Sequence, residues 1–236
     1  MQTNKNAARA AGIIYLIVVI TGMLSLAYIP QKLIDWNNSR VTYNNISNSI
    51  ALFRIGIYSS ILCYVAFAFL PLYLYKLLKT VNEFHARAMV ILALLSVPFS
   101  FSNLQHKYAA LTLVGKQSFL QNIPAGDIES KLMFSLNQYN DGILLATVFW
   151  GLWLFPFGLL VYRSGFIPKI LGVLLMLGCV GYLTNFTGNT LLENYSQIGI
   201  GKYMGKLPAI AEVSICLWLL YFGLQINGNK HLKNEI

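Results

Sequence analysis

Six stretches of the chain are apolar almost without interruption, over about residues 12–29, 50–74, 88–113, 138–162, 168–188 and 208–225. Polar segments bearing glycine, proline or charge divide them. An α-helix rises about 1.5 Å per residue, so each stretch covers most or all of a hydrocarbon core about 30 Å thick. The pattern predicts an all-α, polytopic membrane protein, a single domain of six transmembrane helices over residues 1–236. Trp150 to Leu183 shows the principle most plainly. Two apolar runs meet at a short basic elbow, Tyr162-Arg163-Ser164-Gly165-Phe166-Ile167-Pro168-Lys169, as two spans joined at an interfacial turn do. The first run is longer than the 7–15 residue core typical of a signal peptide, and Ser25-Leu26-Ala27 is a poor cleavage site, so it reads as an uncleaved span. Between the runs, residues 31–48 read as a polar loop, and Pro124-Ala125-Gly126-Asp127 as a turn within a loop over 115–137.

Against this apolar background a few polar residues stand out. Arg54, His106, Lys107, Asp141 and Glu212 fall within or at the edge of a span, expected near its outer end. Charge in hydrocarbon costs several kcal/mol or more unless it is paired or hydrated, so each is a candidate for function. Ser96, Ser100, Asn103 and Lys107 recur at helical spacing and form one stripe on the third span; Thr21, Ser25 and Tyr28 do so on the first, and Tyr58 lies one turn from Arg54. Such stripes should face other helices or a water-filled cleft. Together they suggest an outward-opening polar cup that binds a ligand or ion, built from Arg54, Tyr58, Asn103, His106, Lys107, Asp141 and Glu212, with Arg54 pairing Glu212 and Lys107 pairing Asp141. The alternative is structural: Arg and Lys snorkel to the interface, Asp141 sits in a first turn, and ion pairs merely fix which helices meet. Glu212 resists that alternative best, because a short carboxylate snorkels poorly.

Composition sharpens the picture. Hydrophobic residues make up 56% of the chain and charged residues 11%, against about 25% charged in a soluble domain. The net charge of +9 is spread through short loops, with no basic run, so it argues against a nucleic-acid partner. With six spans both termini share one side. Lys5, Arg9, Lys76, Lys79, Arg87, Arg163, Lys169, Lys230 and Lys233 lie there, against Lys32, Arg40, Lys116, Lys131, Lys202 and Lys206 opposite. The first set clusters near helix ends and favours cytoplasmic termini. Cys63, Cys179 and Cys216 all fall in apolar runs, which points to packing rather than metal or redox roles. No nucleotide, hydrolase or metalloprotease motif occurs, and His85, His106 and His231 lie in a loop, a span and the tail. The expectation is therefore no catalytic residue, no metal and no cofactor, with the lipid bilayer and a small solute or ion as partners.

The segment Gly151-Leu152-Trp153-Leu154-Phe155-Pro156-Phe157-Gly158, followed by Tyr162 to Gly172 and Gly181-Tyr182-Leu183, resembles the bacterial membrane family known as domain of unknown function 4386. Ala8-Arg9 through Gly12, Phe53-Arg54, Leu74-Tyr75 and Ala211-Glu212 extend the resemblance over nearly the whole chain. It implies a bacterial, six-helix inner-membrane protein. It makes Arg54 and Glu212, and the elbow residues Arg163, Ser164, Gly165, Pro168 and Gly172, look like family positions, and it assigns no role to any. Binding or transport of a small solute is the preferred reading. A sensor, assembly factor or partner subunit held by a purely structural charge network is the alternative, and an intramembrane enzyme the least favoured.

Overall fold

A computed structural model describes residues 2–115 and 118–231; Lys116 and Lys233, counted in the charge balance above, lie outside them. The described residues are helical throughout, apart from short connections. The first span is α1 (Gln2–Met23), a π-helical turn (Leu24–Tyr28) and α2 (Ile29–Leu33). Then follow α3 (Ser39–Asn48), α4 (Ile50–Leu78), α5 (Glu83–Val114), α6 (Ala125–Arg163), α7 (Lys169–Leu191), two short helices, α8 (Tyr195–Ile198) and α9 (Ile200–Met204), and α10 (Lys206–His231). Six of these segments are long and apolar enough to cross a bilayer.

The spans form a ring. Each packs on its sequence neighbours in the order α1, α4, α5, α6, α7, α10, and α10 closes back on α1. The ring is filled from within by Trp153 of α6, which is 1% exposed. Its indole stacks on Phe157 at 5.3 Å, meets Phe67 of α4 edge-on at 5.2 Å and lies 6.4 Å from Tyr15 of α1. Around the outside, every span turns large apolar side chains outward, among them Ile20, Phe69, Leu95, Phe155, Val180 and Leu217. An apolar belt on all six helices is what lipid requires and water forbids.

Small residues let the helices close up. Gly158 and Gly172 face one another across α6 and α7, where an added Cβ on Gly172 would lie 2.6 Å from the Gly158 carbonyl oxygen. Gly12 meets the backbone of Leu219 and Leu220 in the same way, sealing one end of the α1–α10 seam. The elbow between α6 and α7 turns on Gly165, whose φ is +74°. Ser164 fixes that turn, its Oγ donating to the Val161 carbonyl at 2.8 Å and accepting the Ile167 N–H at 3.2 Å. Pro168 caps α7, Arg163 is exposed, and the Lys169 ammonium sits 5.5 Å over the Tyr162 ring.

The start of α1, the end of α10 and the α4–α5 and α6–α7 connections lie at one end, the terminal side; the longer connections lie at the other, the loop side. On the loop side the structure departs from the expected loops. Residues 39–48 are not loop but α3, capped by Asn38, whose side chain accepts the Val41 N–H at 3.0 Å. Helix α6 begins at Ala125 rather than near Gln138, and its 39 residues run about 58 Å. The cause is a second, smaller core. Ile46 of α3 and Leu132 and Leu136 of α6 are buried against Ile29, Leu33 and Phe53, so amphipathic segments that look polar in sequence dock on one another beyond the membrane core.

Candidate functional site

The seven expected site residues do not converge. Arg54 and Tyr58 are both exposed on the outer face of α4. Counting back about 20 residues from the interfacial Tyr75 reaches Arg54, so it sits where the loop-side headgroups begin. His106 and Asp141 line a surface cleft between α5 and α6 with Asn103, and Asp141 accepts a hydrogen bond from Asn137 Nδ2 at 3.1 Å. Asn103 is buried, donating to the Tyr139 carbonyl at 2.9 Å and occupying the space left by Gly142. The expected pairs of Arg54 with Glu212 and Lys107 with Asp141 are not formed. Among the described residues the ion pair within 4.0 Å is Arg87 with Glu83, at 2.7 Å on the terminal side. No three His, Cys, Asp or Glu side chains among those residues gather in a metal-binding group.

Glu212 and Lys107 instead occupy two separate cavities inside the ring. The larger, of about 550 Å³, lies at the centre and is lined by residues of all six spans. Glu212 borders it. The Glu212 carboxylate accepts the Tyr15 hydroxyl at 3.2 Å and the Tyr182 hydroxyl at 3.1 Å, tying α10 to α1 and α7. Trp150, Trp153, Tyr64 and Phe67 add aromatic faces, and Ser100 adds a hydroxyl that is buried with no hydrogen-bond partner. The depth of Glu212 was misjudged from sequence. The sixth apolar segment begins at Ile200, ahead of Pro208, so Glu212 lies at the level of Cys63 and Ser100, near the middle of α4 and α5, and of Trp150, at the middle of the apolar run 138–162. Toward the loop side Met23, Ala209 and Val213 border the cavity and are themselves exposed. The α1–α10 seam, sealed at Gly12, therefore opens there onto the bilayer.

The smaller cavity, of about 180 Å³, lies nearer the loop side under α2, α4 and α6. Lys107 forms its floor and is 5% exposed. The ammonium donates to the Ser25 carbonyl and to Ser60 Oγ, both at 3.3 Å, and stands 4.2 Å over the Tyr139 ring. The Ser25 carbonyl is available for a local reason. In the π turn the Ile29 N–H bonds Leu24 O, and the next donor in that register would be Pro30, which has no N–H. Lys107 takes the place of the missing donor. The same wide turn swings Tyr28 out of the expected stripe, leaving Thr21 and Ser25 buried and Tyr28 52% exposed. A pair of tyrosine hydroxyls, Tyr64 and Tyr139 at 3.3 Å, separates the two cavities. Sequence alone assigns no role to Tyr15 or Tyr139, carries Tyr182 only within the family-like Gly181-Tyr182-Leu183 motif, and does not anticipate the π turn. The one legible signal was Pro30 at the end of a continuous apolar run.

Fold and cavities together define a multi-pass membrane protein with polar groups enclosed by its helices. The chain belongs to the family described as "Domain of unknown function (DUF4386)", whose profile matches residues 10–223. It is also similar to an uncharacterized protein of Archaeoglobus fulgidus, at 33% identity over 87 residues, 35% of this chain and 47% of the relative. The aligned stretch thus spans about half the length of that curated relative. No solved structure matches.

Proposed function

We propose that the protein resides in the plasma membrane with both termini cytoplasmic and binds a small amphiphilic organic cation in the central cavity, as the binding step of its transport. One observation carries the reading: a carboxylate at mid-depth that, among the described residues, has two tyrosines and no cation for company. An uncompensated charge at that depth is costly, and a cationic guest would offset it. Aromatic faces attract organic cations, by up to about 2 kcal/mol or more where water is excluded. A bare metal ion suits the cavity less, since Ca²⁺ takes about 6–8 oxygen ligands and the walls here are mostly apolar. The seam open to the bilayer suits a guest that partitions into lipid, and the basic residues of the terminal side favour that side as cytoplasmic.

The test is tetraphenylphosphonium binding to the protein in phosphatidylcholine nanodiscs, read by quenching of the Trp150 and Trp153 fluorescence. Glu212→Gln should weaken binding at least tenfold while the protein stays folded, and Glu212→Asp should retain part of it. Equal binding by Glu212→Gln and the parent would overturn the reading. The second reading, a purely structural tie, draws on the two tyrosine bonds to Glu212 and predicts instead that Glu212→Gln lowers the unfolding midpoint sharply with no cation bound by the parent.

A further inference from the structure

We infer that the Lys107 cavity is a second binding site, for an amphiphilic anion: one anionic head on the Lys107 ammonium, with an apolar tail against Ile29, Leu33 and Phe53. It is separate from the central cavity and stands whether or not that cavity takes a cation. Three observations carry it. First, Lys107 is a buried ammonium with no carboxylate within 4.0 Å among the described residues. Its neighbours are a carbonyl, a hydroxyl and an aromatic ring, which solvate a positive charge without neutralising it. Both hydrogen bonds, at 3.3 Å, are longer than the usual 2.7–3.2 Å for N–H donors, so the ammonium can turn a proton toward a stronger acceptor. Charge-assisted bonds to an anion are about twice as strong as neutral ones.

Second, the ammonium borders an open volume. At about 180 Å³ the cavity has some ten times the ~15 Å³ that one water requires. Its walls beyond Ser25, Lys107, Tyr139 and Asn140 are apolar, which suits a hydrocarbon tail and offers an inorganic anion little. Third, the mouth lies on the loop side, where Ile34 and the half-exposed Trp36 line it. That is the headgroup level of the bilayer, where an amphiphile's charge already resides. A cation entering by this route would meet Lys107 first, so the two cavities are suited to guests of opposite charge.

The experiment uses the full chain in phosphatidylcholine nanodiscs, with octanoate as probe and octanol as the tail-matched neutral control. Octanoate should raise the unfolding temperature saturably and quench Trp36 when supplied in brominated form; octanol should do neither. Lys107→Met should weaken octanoate binding at least tenfold. Should that variant fail to fold, Ile34→Trp narrows the mouth and leaves the ammonium intact, and it should weaken octanoate binding alone. A bilayer source is distinguished by replacing part of the phosphatidylcholine with phosphatidylglycerol. Competition with octanoate, lost in Lys107→Met, would identify the site's anion as a lipid headgroup and would equally support the inference. Octanoate acting no more strongly than octanol, with no effect of phosphatidylglycerol, would overturn it, as would equal octanoate binding by the parent, Lys107→Met and Ile34→Trp.

Discussion

Replacing Gly172 with alanine tests the packing that fixes the α6–α7 hairpin, and the structure sets both the size and the coupling of the effect. The new Cβ would lie 2.6 Å from the Gly158 carbonyl oxygen, 2.7 Å from the Tyr162 nitrogen and 2.9 Å from the Tyr162 Cβ. Two of these three are backbone atoms, so no side chain can rotate to relieve them. The helices must part by several tenths of an ångström at this contact, and overpacking of this kind costs about 1–3 kcal/mol. Gly158→Ala makes the reciprocal clash, 2.7 Å to the Gly172 carbonyl and 2.8 Å to Met176 Cγ. Because one separation relieves both, the double mutant should lose less than the sum of the singles, by about 0.5 kcal/mol or more. Gly126→Ala is the control: it lies in α6 with nothing within 4 Å of the added carbon, so it should be neutral or stabilising by up to about 1 kcal/mol through helix propensity. Reversible unfolding in mixed micelles, followed by circular dichroism, gives the four numbers. If Gly172→Ala behaves like Gly126→Ala, or if the two clashing substitutions add fully, the close backbone contact is not present in the folded protein.

Gly165→Ala should cost about 1 kcal/mol for a different reason, since its φ of +74° is unfavourable for an L side chain while nothing crowds the added carbon; Gly165→Asn should cost less, measured by the same unfolding assay. The orientation proposed above is checked by cysteines placed at exposed positions, Asn37→Cys on the loop side and Lys79→Cys on the terminal side. A membrane-impermeant maleimide should label the first in intact cells and the second only after permeabilisation, and the reverse pattern would invert the topology.

Why some of this molecule was readable in its sequence and some was not follows from what each signal measures. The spans were legible because hydropathy is an average over about 20 positions and tolerates local irregularity. The buried stripe of Ser96, Ser100, Asn103 and Lys107 was legible because α5 keeps one helical period across it. Where the period breaks, face and depth were lost: the π turn rotates Tyr28 off its stripe, and a sixth span begun at Pro208 instead of Ile200 put Glu212 about one turn inside the outer end of its span. The charge pairing failed for a further reason. Opposite charges assigned to the same end of a bundle look like partners, but pairing needs a shared face, and Arg54 turns outward while Glu212 turns in. Both interior charges are instead met by neutral groups, tyrosine hydroxyls for Glu212 and a proline-freed carbonyl, a serine hydroxyl and an aromatic ring for Lys107. Two interior ionisable groups of opposite type, each beside its own cavity and neither paired with the other, are the observation on which both proposals rest.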